Sequence, residues 1–370
     1  MTDLESILPL WHQLESAQED YVLATVVAVD GSSYRKPGAR MLLAADGRRA
    51  GTVSGGCLEA EVARRAWWLS ADGPVVERYS TAADDGDLPY GSGCGGIVSI
   101  LLERKTTAAP LLAAMEAAFH ARTSLAIATV LEGPHIGTRA FASDKSTGAA
   151  ELEVLAAHAH SQRASFEQRV QLAGASCCVW VDYRPARPSI WIFGAGDDAK
   201  PLVALARELG WFVAVADGRA HLATRARFAA ADAVDTLPIA DMPGCASGIS
   251  SLRPTDVCVV MTHSFEQDTH ILAALLALRD APAYIGVLGP QRRTRELLRE
   301  AARLLDMPAT ISRIEEWLAK LHAPTGLDLG AESPATIALS ILAEIQKTLT
   351  TATGRPLCEV RASREIVGQH

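Results

Sequence analysis

The chain has 370 residues, 49% of them hydrophobic and 21% charged, a balance that suits two soluble globular domains and excludes disordered or repeat architectures. A formal net charge of -8 supplies no basic field for nucleic acid or an anionic membrane surface. No apolar run reaches the roughly 18 residues that a bilayer span needs.

The opening segment, MTDLESILPLWHQLESAQED, is acidic and amphipathic. It lacks the basic start and apolar core of a secretion signal, so the expected location is the cytoplasm. YVLATVVAVD and ARMLLAAD read as strands, and Asp46-Gly47 after the second signals a hairpin. Leu58 to Ser70 and Pro110 to Ala121 read as helices. Further strands are expected at Leu125–Leu131, Phe166–Leu172 and Cys178–Asp182. Strands and helices alternate here without βαβ spacing, which predicts an α+β domain over residues 1–184. The helix Ala63–Leu69, with Trp67 and Trp68, could support a homodimer. Arg184-Pro185-Ala186-Arg187-Pro188 is a stiff polar connector of the kind that separates domains.

Beyond the connector the pattern becomes regular. SIWIFGAG, WFVAVAD, TDVCVVMTH and APAYIGVLG are short apolar strands. The helices Ala199–Leu209, Gln267–Arg279 and Arg292–Leu305 lie among them, and Pro334–Leu349 closes the series. This is the signature of a parallel sheet covered on both faces, so a Rossmann-like domain is expected over residues 189–350, followed by a tail over 351–370. The fold class is α/β.

Seven cysteines, odd in number, scattered and never as CxxC, argue against a disulfide framework and a structural zinc site. Cys177, Cys178 and Cys258 lie in apolar runs and read as buried strand residues. Cys57 and Cys94 differ. Cys57, in SGGCLE, opens a helical pattern whose dipole favours a thiolate. Cys94, in YGSGCGG, is wrapped in glycine. Together they could ligate a soft metal or carry sulfur; sharp glycine turns with a small buried cysteine are the alternative. Between two strands, Gly31–Gly38 sets Arg35 and Lys36 among hydroxyls and glycines, a set suited to an anion or to a plain solvated loop.

In the second half, Gly194 and Gly196 follow a strand and open a helix, where backbone N–H groups can approach a pyrophosphate. Asp217 ends the next strand, the place of an acid that binds a ribose hydroxyl and disfavours the 2′-phosphate of NADP. Asp197 and Asp198 would repel a phosphate unless a cation intervenes. His263, at a strand end, is a candidate phosphate donor or base. Arg292 and Arg293 at a helix start are candidate phosphate clamps.

GSSYRKPGARMLL, GTVSGGCLEAEV and GCGG together resemble the N-terminal domain of the xanthine dehydrogenase accessory factor (XdhC/CoxI) family. FGAGDDAKPLVALARELGWFVAVADGR, VVMTHSFEQD, YIGVLGPQRR and PTGLDLGAESPATIALSILAEI resemble its Rossmann domain. The resemblance spans nearly the whole chain, except for about 122 to 181. It implies a cofactor-insertion chaperone rather than a catalyst, with no catalytic residue. Such a chaperone binds the sulfurated molybdenum cofactor, in its molybdopterin or dinucleotide form, and delivers it to a xanthine dehydrogenase-like molybdenum hydroxylase apoenzyme. A cysteine desulfurase is a further implied partner. Cys57 and Cys94 fall on the family's two glycine–cysteine motifs, which implies a role in handling metal or sulfur. Two other readings compete with it. One is an NAD-dependent oxidoreductase built on Gly194, Gly196 and Asp217; the other is a redox or metal sensor built on the two cysteines.

Overall fold

Tyr21–Asp30 (β1), Arg40–Ala44 (β2), Arg49–Gly51 (β3), Val75–Ser80 (β4) and Ile97–Arg104 (β5) form an antiparallel sheet in the order β3-β2-β1-β5-β4. The structure is a computed structural model that describes residues 3–56, 58–80, 96–142, 150–237 and 252–360. The first seven positions of β1 are all buried, so its apolar run is covered on both sides, as a central strand requires. Asp3–Ser16 (α1) and Lys105–Ala121 (α3) pack on Tyr21, Leu23 and Leu42. Glu59–Leu69 (α2) sets Val62 and Ala66 on the opposite face, against Val22, Ala24 and Met41. The expected hairpin joins β2 to β3 through Gly47, whose φ of 91° suits glycine.

α3 departs from the sequence reading, and Ile311–Leu318 in the second unit is a helix that it does not contain. α3 starts at Lys105 rather than Pro110, because Ala108, Leu111, Leu112 and Met115 share one buried face. Burying that face outweighs the hydrogen bond that an internal proline removes. Ala150–Gln162 (α4), which the sequence reading does not contain, backs a second antiparallel sheet. That sheet comprises Leu125–Glu132 (β6), Arg139–Phe141 (β7), Phe166–Leu172 (β8) and Ala175–Arg184 (β9), in the order β7-β6-β9-β8. A fully buried Glu103 on β5 pairs with Arg139 on β7. Arg40 and Asp182 form a second buried pair at 3.1 Å.

The chain divides into two compact units between Arg187 and Pro188. In the second unit, Ser189–Phe193 (β10), Phe212–Asp217 (β11), Ala233–Thr236 (β12), Val257–Val260 (β13) and Tyr284–Val287 (β14) form a wholly parallel sheet. Its order is β12-β11-β10-β13-β14. Ala199–Glu208 (α5) and Pro334–Thr350 (α9) cover one face. Phe265–Leu276 (α6), Gln291–Leu304 (α7) and Ile311–Leu318 (α8) cover the other. The strand order reverses direction at β10, and open α/β sheets bind ligands beyond the carboxyl ends of strands at such a point. Cys177, Cys178 and Cys258 are buried and free, as expected of strand residues.

Candidate functional site

The antiparallel order of the first sheet brings three glycine-rich connections to one end. β1 finishes there and β2 starts there; β3 and β4 finish there, and β5 starts there. The connections are therefore residues 31–39, residues 52–58 and residues 81–96. Contacts confirm the convergence. A Cβ built on Gly55 would lie 3.8 Å from Cβ of Tyr34, and one on Gly96 would lie 2.3 Å from the carbonyl oxygen of Ser32. Gly96 must be glycine for that approach. Cys57 and Cys94 lie outside the described residues. Tyr34 is 80% exposed beside the turn. Arg35 pairs with Asp3 of α1, and Lys36 is exposed.

Glu59, the first residue of α2, holds the second connection. Its Oε1 accepts from the Thr52 hydroxyl and from the amides of Val53 at 3.1 Å, Ser54 at 2.9 Å and Gly55 at 3.1 Å. Its Oε2 accepts from Ser54 Oγ at 2.6 Å and from the Gly56 amide at 2.8 Å. Burial pushes this carboxyl up. The hydroxyls of Ser54 and Thr52 and the turn amides more than reverse that, and bring it to about 2. Gly55 and Gly56 have φ of 106° and 121°, values that let successive amides point inward at one carboxylate.

In the second unit, the carboxyl ends of β10, β11 and β13 carry a linked set of charges. Gly194, at φ 133°, lies so close to the backbone of Met261 that a Cβ would stand 2.4 Å from its carbonyl oxygen. Asp217 is fully buried and turned inward. Its Oδ2 accepts from the Ala195 amide at 2.7 Å and from Arg219 Nη2 at 2.7 Å. Its Oδ1 accepts from the Arg219 amide at 2.8 Å and from Arg219 Nε at 2.9 Å. Those four donors fill the roughly four lone-pair sites of a carboxylate. Burial raises the Asp217 carboxyl, but the Arg219 and Ala195 donors carry it below the ordinary range. Arg219 also bonds the Thr262 carbonyl at 3.0 Å, tying β11 to the end of β13.

His263 sits at the end of β13 with φ of 61°, a conformation uncommon for a side-chain-bearing residue. Its Nε2 lies 2.7 Å from Oδ2 of Asp198. Asp198 also lies over Gly196, 2.4 Å from where a Cβ would be. Asp197 pairs with Lys200 at 2.7 Å and with Arg227 at 2.9 Å. Thus the two carboxylates expected to repel a phosphate each carry a basic partner. Arg292 is 91% exposed at the start of α7, 3.3 Å from Glu296. Arg293 instead turns inward to the buried Asp268 at 2.7 Å, whose other oxygen accepts from the Thr262 hydroxyl at 2.6 Å. At this end of the sheet Lys200 and Arg227 face Asp197, Arg219 faces Asp217 and His263 faces Asp198 around the turn.

The structure thus gathers Gly194, Gly196, Asp217 and His263 at one end of the parallel sheet, and the Arg35–Lys36 loop beside the Gly55–Gly56 turn. Trp67 lies under Arg104 at 4.4 Å, whereas Trp68 is 61% exposed near Arg65. Glu59 and Arg219 are absent from the sequence reading as site residues. A glycine pair followed by an acid at a helix start is the signal that could have found Glu59. Among the described residues, no helix is long and apolar enough to cross a membrane.

Residues 190–345 match the family description "XdhC Rossmann domain", and residues 14–80 match "XdhC and CoxI family". A protein of Bacillus subtilis (strain 168), named as a probable subunit of xanthine dehydrogenase, is 30% identical over 342 residues, 90% of this chain and 94% of that protein. The Escherichia coli (strain K12) "Molybdenum cofactor insertion chaperone PaoD" is 38% identical over 95 residues, 25% of this chain and 29% of that one. A crystal structure of a protein described as a xanthine dehydrogenase from Bacillus halodurans superposes with a TM-score of 0.70 at 29% identity. It covers 95% of this chain and 96% of its own.

Proposed function

The chain belongs to the XdhC and CoxI family, and on that premise we propose that it is an accessory factor for a molybdenum hydroxylase. It binds the molybdenum cofactor in its sulfurated form and delivers it to a xanthine dehydrogenase-like apoenzyme. The likeness to a protein named as a molybdenum cofactor insertion chaperone supports the cofactor. The observation that carries the reading is the meeting of the glycine-rich connections over residues 31–39 and 52–56 at one end of the N-terminal sheet, where β4 also ends and β5 begins.

When bound, the cofactor supplies molybdenum and its exchangeable sulfur. Cys57 and Cys94 offer soft thiolate ligands for that centre, and Arg35 and Lys36 offer cations for the pterin phosphate. In the other unit, Gly194, Gly196, His263 and Arg292 form the anion-facing surface. Asp217 acts there by fixing the turn through Ala195. Because its acceptor sites are filled by Arg219 and Ala195, Asp217 does not support the oxidoreductase reading, in which it would bind a ribose.

The test is to express the chain in hosts with and without molybdenum cofactor synthesis and to measure metal and oxidised pterin on the purified protein. About one cofactor per chain is expected from the first host. Cys57→Ser and Cys94→Ser should lower loading and client activation with little change in melting. Tight NAD binding with hydride transfer, and no pterin, would overturn the proposal.

A further inference from the structure

We infer that the N-terminal unit holds one internal water where two buried ion pairs meet, Arg40–Asp182 and Arg139–Glu103, and that this water joins them into a single network. The site is separate from the glycine-rich connections and owes nothing to the cofactor reading.

Strand register brings the groups together. In the first sheet, Thr25 of β1 lies between Arg40 of β2 and Leu101 of β5. In the second, Thr129 of β6 lies between Arg139 of β7 and Trp180 of β9. Both rows line one cavity of about 10 Å³, to which Glu103 and Asp182 also contribute. A cavity of that size has room for about one water.

Each arginine has two of its three nitrogens engaged. Arg40 donates from Nη2 to Oδ2 of Asp182 at 3.1 Å and from Nη1 to the Gly38 carbonyl at 2.9 Å. Arg139 donates from Nη2 to Oε1 of Glu103 and from Nη1 to the Thr107 carbonyl at 3.1 Å. That leaves Nε of both arginines, Oε2 of Glu103 and Oγ1 of Thr25. All four atoms are buried and have no hydrogen-bond partner among the described residues. Two N–H donors and two oxygen acceptors are the complement of one water, which accepts twice and donates twice.

The charges around the cavity select water over an ion. Two guanidinium groups and two carboxylates cancel there. A chloride would lie against Glu103 and Asp182, and a sodium ion against Arg40 and Arg139; a neutral dipole meets neither objection. A buried ion pair also offsets its desolvation only when its remaining donors and lone pairs are satisfied, and the water satisfies them in both pairs at once. The network reaches the surface through Gly38. Its carbonyl accepts from Arg40 and also from Arg184 Nη1 at 3.2 Å, which holds the base of the loop that carries Arg35 and Lys36.

Thr25→Val gives opposite signs for a wet and a dry cavity. Valine keeps the branched shape of threonine and removes only the hydroxyl. In a dry cavity that hydroxyl is an unpaired buried polar group, and its removal leaves stability equal or raises it. With water in place the change takes away one of the water's four partners, and the unit loses stability. The slowest-exchanging β1 amides of the full chain should therefore exchange about tenfold faster in the variant, the ratio expected for one buried hydrogen bond. Exchange equal to or slower than that of wild type overturns the proposal. A crystal structure of the wild-type chain soaked in bromide is the second measurement, and it decides alone if the variant does not fold. One solvent peak without anomalous signal is expected, within hydrogen-bond distance of Arg40 Nε, Arg139 Nε, Glu103 Oε2 and Thr25 Oγ1. No peak there, or the anomalous signal of bromide, overturns the proposal as well.

Discussion

Alanine at Gly194 and alanine at Gly196 should have very different costs, although the two positions share one turn. A Cβ at Gly194 would stand 2.4 Å from the carbonyl oxygen and 2.7 Å from the carbonyl carbon of Met261, at φ +133°. Those atoms are backbone, so relief requires the ends of β10 and β13 to part. A non-glycine residue in such a backbone region costs about 1–3 kcal/mol, and overpacking adds about 1–3 kcal/mol. A total near 4 kcal/mol corresponds to a fall in Tm of about 8–16 °C for a domain of 150–250 residues. At Gly196 the Cβ would meet only the carboxylate of Asp198, a side chain that can swing away. Its exposed contact with His263 is worth about 0–1 kcal/mol. Calorimetry of the full chain, with hydrogen exchange of the β10 amides to identify the transition of the second unit, gives both values. Gly196→Ala as damaging as Gly194→Ala, or Gly194→Ala melting like wild type, would refute the reasoning.

Two further outcomes concern the N-terminal unit. The Glu59 carboxyl, at about 2 when folded against an ordinary 4.5, is depressed by folding. Its contribution of about 3 kcal/mol is therefore complete above the unfolded pKa and lost as pH falls toward 2. The urea midpoint of wild type should exceed that of Glu59→Gln at neutral pH and converge with it between about pH 5 and 2; a constant gap would contradict this. Arg139→Ala leaves the fully buried Glu103 without its partner and should cost about 3–5 kcal/mol in urea unfolding. Adding Glu103→Leu to that variant should recover much of the loss, and no recovery would mean that the loss is not an unpaired charge.

The parallel sheet was readable because its strands are short apolar runs set among helices, and burial on both faces leaves that mark directly in composition. The location of Gly194, Gly196, Asp217 and His263 at one end followed from topology once those strands were recognised. α3 shows the opposite case. Pro110 is a local stop signal, but the burial of Ala108 upstream of it is a tertiary effect that no local signal carries. Asp217 illustrates a subtler limit. Its position at the end of β11 was legible, but the direction of its carboxylate depends on Arg219, two residues on, folding back against it. Glu59 escaped because an acid at a helix start has an ordinary explanation, and only the dihedral angles of Gly55 and Gly56 reveal that the amides converge on it.

The filled carboxylate of Asp217 also bears on discrimination among nucleotides. An acid at that strand end distinguishes ribose from deoxyribose by accepting from the sugar hydroxyls, and rejection of the analogue that lacks a hydroxyl depends on a protein group being left unpaired. Here Arg219 and the Ala195 amide already occupy the acceptors, so nothing is left unpaired when the sugar lacks its hydroxyl. In this arrangement Asp217 itself offers a sugar hydroxyl no free acceptor.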